Sequence, residues 1–132
     1  MIAAVHAVVG ASIGKFAGDS KSAVMGGVAS HLLMDLLPHR DFDATTEALL
    51  LAPTMGMIAW KFGLTSPEFV GAFGAISPDL ENAASRVGII PQEAMRFPTH
   101  LGEDKHGPKT ESALPQGILA AVCVAFLLWP RK

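Results

Sequence analysis

Half of the 132 residues are hydrophobic and only 17% are charged, with a mean hydropathy of +0.38, a more apolar balance than an ordinary soluble domain carries. A formal net charge of −2 and the lack of tyrosine exclude the basic, aromatic-bearing surface that a nucleic-acid partner needs. The single cysteine, Cys123, excludes an internal disulfide and a multi-thiolate zinc site, and in its apolar run it reads as a small buried hydrophobe.

The length suits one helical domain over residues 1–132. A first helix is predicted over about 2–17, with His6 as its only ionisable residue before Lys15. No basic stretch precedes it and no cleavage site follows, so it does not read as a signal peptide. Gly10, Gly14 and Gly18 recur every fourth residue, a spacing that lets two helices approach closely, as membrane bundles do and as Ala- and Gly-rich soluble cores also do. A second helix follows from about Lys21 to Leu37, where Pro38 should end it.

The stretch from Ser30 to Asp43 stands out. An apolar segment there carries His31, Asp35, His39, Asp41 and Asp43 within a few turns of chain. His31 and Asp35, four apart, lie on one helix face. An imidazole and a carboxylate so placed can bind one metal ion, or simply hydrogen-bond each other. Asp43 is equally suited to cap the next helix.

That third helix is expected from Thr45 to about Leu64, kinked at Pro53, with Glu47 complementing the dipole of its first turn. Ser66-Pro67-Glu68 starts a fourth helix over about 67–76. Ser77-Pro78-Asp79 repeats that chemistry and suggests a separate short helix. Residues from about 87 to 111 are rich in Pro, charge and His, including His100 and His106, and read as a long polar loop with one helical turn at Pro91–Met95. A fifth helix, from Ala113 to Trp129, is the best membrane candidate at about 17 residues, with Trp129, Arg131 and Lys132 as interfacial anchors.

With the helices running alternately up and down, His6, His39, Asp41, Asp43, Asp79, Glu81 and the His100/His106 loop fall at one end of the bundle. His31 and Asp35 lie one or two turns deeper. The expected fold is therefore an all-α bundle of about five short helices, embedded in a membrane, with a His/Asp metal site at one mouth.

Ser30-His31-x-x-x-Asp35-x-Leu37-Pro38, with an early His in a Gly-rich helix and a Pro-Asp-Leu-Glu, resembles the inner-membrane metal-dependent hydrolases, a family distantly similar to zinc-dependent phospholipase C. The resemblance implies a multi-pass inner-membrane protein in which His31, Asp35, His6 and Asp79 hold metal. In the family the Pro-Asp element often ends Asp-His, whereas Glu81-Asn82 stands here, and Thr99-His100-Leu101 matches the family's Thr-His-Ser only loosely.

Taken together, the candidate ligands are His6, His31, Asp35, His39, Asp79 and His100, for a divalent ion that the mixed N and O donors suggest is zinc. Asp35 or Asp79 would orient a metal-bound water, and Arg40 and His106 would meet an anionic group. The function expected is metal-dependent hydrolysis of a phosphoester or other ester on a lipid-like amphiphile. A non-catalytic membrane protein that binds or passes a metal ion, and a helical protein with structural His–Asp pairs and no metal, stay open beside it.

Overall fold

The computed structural model describes residues 1–97 and 108–130. Its elements are five α-helices: α1 (Ala3–Ala17), α2 (Ser20–Met34), α3 (Ala44–Phe62), α4 (Pro67–Arg86) and α5 (Leu114–Leu128). A single 3-10 turn covers Gln92–Ala94. The described residues contain no strand, only an isolated bridge between His39 and Lys109.

Local chemistry sets most boundaries. Asp19 caps α2 by accepting from the Ser22 amide at 2.9 Å. Asp43 caps α3 through the amides of Thr45 and Thr46, both at 3.1 Å. Ser66 caps α4 through the Phe69 amide at 3.1 Å, with Pro67 at the first helical position. Gly18 does not belong to the packing stripe of Gly10 and Gly14. It ends α1 with φ 75°, a left-handed cap whose N–H bonds to the Gly14 carbonyl.

Two boundaries differ from expectation. Helix α2 stops at Met34 and not at Leu37, with Asp35 as its C-cap. Beyond it the chain tightens, Leu36 N–H donating to the Leu33 carbonyl and Leu37 N–H to the Met34 carbonyl, because the residue ahead of Pro38 is disfavoured in the helical region. Conversely, α4 runs straight through Ser77-Pro78, with no second helix beginning there. Pro78 has no N–H for the Gly74 carbonyl, and the Ser77 hydroxyl takes its place, donating to Gly74 O at 2.8 Å.

Helices α1, α2 and α4 form the close-packed heart, and glycine is what lets them meet. A Cβ added at Gly71 would collide with the Gly10 carbonyl oxygen, and one at Gly10 or Gly27 with the Gly71 carbonyl. At Gly74 it would come within 2.6 Å of the Val24 carbonyl oxygen. Around this contact Ala7, Val8, Ala11, Ala72 and Ile76 form a core that Ile58 of α3 and Leu127 of α5 complete. Lys15 of α1 secures α5 by donating to the carbonyls of Phe126, Leu127 and Trp129 at 2.8, 3.1 and 2.5 Å, at a helix end whose last carbonyls need partners from outside the helix.

The outer faces stay apolar. Leu114, Ile118, Val122, Phe126 and Leu128 of α5, and Leu49, Met57 and Trp60 of α3, are exposed. Even so, among the described residues no helix is long and apolar enough to cross a membrane. Helix α5, the best candidate by sequence, has 15 residues and reaches about 22 Å, against a hydrocarbon core of about 30 Å. The multi-pass expectation therefore finds no support in the helices described.

The backbone contact predicts a contrast between two glycines. Gly71→Ala should destabilise the fold by about 1–3 kcal/mol, the cost of overpacking. Gly56→Ala on α3, where an added Cβ meets nothing, should be neutral or stabilising by up to about 1 kcal/mol. Urea-unfolding midpoints of the two variants beside the parent test this; equal midpoints would contradict the packing described.

Candidate metal centre

Four of the predicted residues come together where α1, α2 and α4 meet. His6 lies in the second turn of α1, His31 in the last turn of α2, Asp35 at its C-cap and Asp79 past the middle of α4. His6 and His31 are wholly buried and Asp35 is 1% exposed, while Asp79 is about one-quarter exposed.

Asp35 joins both imidazoles. His6 Nε2 donates to Asp35 Oδ1 at 3.0 Å, and His31 Nε2 lies 3.1 Å from Asp35 Oδ2. The two rings stack with centroids 4.0 Å apart. Asp79 Oδ1 lies 3.8 Å from His31 Nε2. His6, His31 and Asp79 each offer one ligand atom, and those atoms all lie within 4.8 Å of one another. Donors on a tetrahedral zinc ion with bonds of about 2.0–2.1 Å stand about 3.3 Å apart, so small side-chain shifts would close the set.

Proton positions follow from the partners. A carbonyl only accepts, so His31 Nδ1 carries the proton and donates to Ala75 O at 2.6 Å. His31 Nε2 then faces the carboxylates of Asp35 and Asp79. An outer hydrogen bond of this kind fixes tautomer and ring orientation in metal sites. By the same reasoning His6 Nε2–H points to Asp35, and His6 Nδ1 is buried without a hydrogen-bond partner among the described residues.

Burial lowers the pKa of His6 to about 4, with the nearby His31 adding to the fall and the Asp35 hydrogen bond opposing it. Burial pushes Asp35 the other way, but hydrogen bonds from His31 and His6 and the Met1 amino group, 3.1 Å from Oδ1, hold its carboxyl well below the usual carboxylate range. Burial raises Asp79 to about 6, opposed by His31 and reinforced by the negative charge of Asp35.

His39 is not in this group. It is buried in the turn after α2, where Nδ1–H donates to Leu37 O at 2.7 Å and Nε2 lies 3.1 Å from Asp41 Oδ1. Arg40 is exposed, its guanidinium donating to the Glu111 carbonyl at 2.8 Å and resting over the Phe42 ring. Glu81 accepts from the amides of Arg96 and Phe97 and so holds a loop. His100 and His106 lie outside the described residues. Surface clefts elsewhere, one lined by Lys15, Lys61, Glu68 and Trp129 and another by Asn82, Arg86 and Met95, include none of the four.

Two supporting residues escaped the sequence reading. Glu47 does more than complement a dipole: it accepts from Ala3 N–H at 2.8 Å and Phe42 N–H at 3.3 Å, tying the start of α1 to the α2–α3 turn. Gln116 of α5, 2% exposed, accepts from Ile2 N–H at 3.3 Å and donates to the Arg40 carbonyl at 2.9 Å. The available signal was a lone amide or acid inside an apolar helix, which cannot be buried without partners. Comparison of the chain with protein families, with curated proteins and with solved structures finds no match.

The opposed shifts make a signed prediction for the metal-free protein. A group with a raised folded pKa contributes stability at low pH that is lost as pH rises, here between about 4 and 6 for Asp79. A buried His with a lowered pKa acts oppositely: His6 adds stability as pH rises from about 4 toward 6.5. In the parent the two largely cancel. With chelator present, Asp79→Asn should leave a stability that rises over this window, measured as urea midpoints at successive pH values. A flat profile in the variant would contradict the assigned shifts.

Proposed function

We propose that this chain is a metal-dependent hydrolase whose zinc ion is held by His6, His31, Asp35 and Asp79, and whose substrate is a phosphoester or other ester on an amphiphile. The observation that carries the reading is the convergence of His6, His31 and Asp79 donor atoms within 4.8 Å around a His31 ring whose Nδ1–H is committed to Ala75 O. The residues fit the ion. With Nδ1–H committed to that carbonyl, His31 turns Nε2 to the carboxylate oxygens of Asp35 and Asp79, 3.1 and 3.8 Å away, so imidazole and carboxylate donors face one point. Two imidazoles with carboxylates and no thiolate suit zinc, and manganese or iron(II) next.

A bound zinc ion supplies a water of lowered pKa and a Lewis acid for a phosphoryl or carbonyl oxygen. The rest belongs to the chain. Ala75 and Asp35 hold the imidazoles in orientation. Asp79, the most exposed of the four, or Asp35 orients the attacking water. Arg40, exposed beside His39, draws an anionic head group toward the mouth.

A membrane setting completes the proposal. Large hydrophobes stand exposed on the outer faces of α3 and α5, the kind of surface that meets a membrane or a partner. With helices of 15–20 residues, none of those described being long and apolar enough to cross a membrane, the bundle is read as lying in the lipid interface of the inner membrane. Burial of His6 and His31 favours one second reading, an ion-binding protein without turnover.

Protein purified without chelator should contain zinc, and His31→Ala should lose it, since the remaining donors cannot close the site. Aryl phosphoesters and phospholipids should be hydrolysed in a metal-dependent manner, with activity falling at least about 10–100-fold in Asp35→Asn. Metal retained without turnover on any of these would select the ion-binding reading, and absence of bound metal after zinc loading would overturn both.

A further inference from the structure

We propose that the cleft between the last turns of α4 and the segment folding back beside them binds the distal part of the substrate, an alkyl chain that ends in an anionic group. The inference rests on the hydrolase reading above and narrows its amphiphile to one with a charge beyond the scissile phosphoester.

One face of α4 runs from the metal centre into this cleft. The Ala75 carbonyl holds His31, and Asp79, one turn on, belongs to the ligand group. Asn82 and Arg86 follow one and two turns later on the same side. The opposite wall is the chain returning along the helix. Gly88 turns it, with φ 78°, a conformation glycine takes without strain. Ile89 N–H donates to the Ala84 carbonyl at 2.9 Å. The Glu81 carboxylate accepts from the amides of Arg96 and Phe97 at 2.8 and 2.9 Å. The segment is thus pinned at both ends, the second of them close to Asp79 on the helix. The space enclosed is about 500 Å³, within the range of small-molecule sites.

The lining has two characters. Asn82, Ser85, Arg86 and Gln92 bring polar side chains that make no hydrogen bond to another described residue, and Ile90 and Met95 bring apolar surface. Arg86 is exposed. In the last turn of α4 it complements the helix dipole, and its guanidinium is also a fork of donors that takes a carboxylate or phosphate in two hydrogen bonds. The apolar residues suit the methylenes of a chain. From Asp79 to Arg86 the helix rises about 10 Å, which sets the spacing between the scissile ester and the distal anion.

The test compares two para-nitrophenyl alkyl phosphodiesters on the zinc-loaded full chain. They differ only at the end of an alkyl chain reaching about 10 Å, a methyl in one and a carboxylate in the other. The parent should show a KM about tenfold lower for the carboxylate-bearing diester, the effect of one charge-assisted hydrogen bond. Its kcat should be similar, because binding shared by ground and transition states moves KM alone. Arg86→Gln should bring the two KM values together, and Arg86→Lys should restore part of the gap, with circular dichroism confirming the fold of each variant. Equal KM values in the parent, or a gap that survives Arg86→Gln, would overturn the cleft as a substrate site and leave the metal centre standing. A lack of zinc-dependent turnover on both diesters would overturn the hydrolase reading and this inference with it.

Discussion

A carboxylate buried among helices needs compensating hydrogen bonds or charge, because desolvation of the bare ion costs several kcal/mol even after relaxation. Asp35 is that carboxylate here. At 1% exposure it accepts from His6 of α1, sits against His31 of its own helix, and lies 3.1 Å from the Met1 amino group. Each of those partners is fixed in turn: His31 by the Ala75 carbonyl of α4, and the start of α1 by Glu47 and Gln116. Satisfying this one charge thus brings five helices into register.

Short side chains can do this only because the helices approach so closely. His and Asp reach a few ångströms from their backbones, and the glycines at 10, 27 and 71 let carbonyls of neighbouring helices stand where a Cβ would otherwise be. The Gly-rich stripe and the His/Asp cluster are therefore one design. The stripe sets the distance, and the cluster occupies the end at which α1 begins and α2 finishes. The apolar outer faces follow from the same economy, since a heart built of Gly and Ala leaves the large hydrophobes of α3 and α5 with little to cover them.

Much of this was legible in the chain. Spacing alone placed His31 and Asp35 together, and alternating helix directions brought His6 and Asp79 to them. The caps at Asp43 and Ser66 were readable because they act through local hydrogen bonds. What the sequence hid depends on tertiary partners. Pro78 looks like a helix start, yet Ser77 supplies the missing bond and α4 continues. Glu47 and Gln116 find their partners on elements far away in sequence, which no periodicity reveals. The early end of α2 at Met34 turns Asp35 from a mid-helix residue into a cap without changing its neighbour His31. His39 was expected to join the main group and instead pairs with Asp41, because the turn before α3 carries it to a separate position.

The central claim is that His6 and His31 serve one ion together with carboxylate oxygen. X-ray absorption at the zinc edge, on protein loaded with a single equivalent, reads that coordination directly. The account predicts nitrogen and oxygen neighbours at about 2.0–2.1 Å with the scattering of two imidazoles and no sulfur, reduced to at most one imidazole in His31→Ala. Sulfur neighbours at about 2.3 Å, or a spectrum without imidazole scattering, would contradict it.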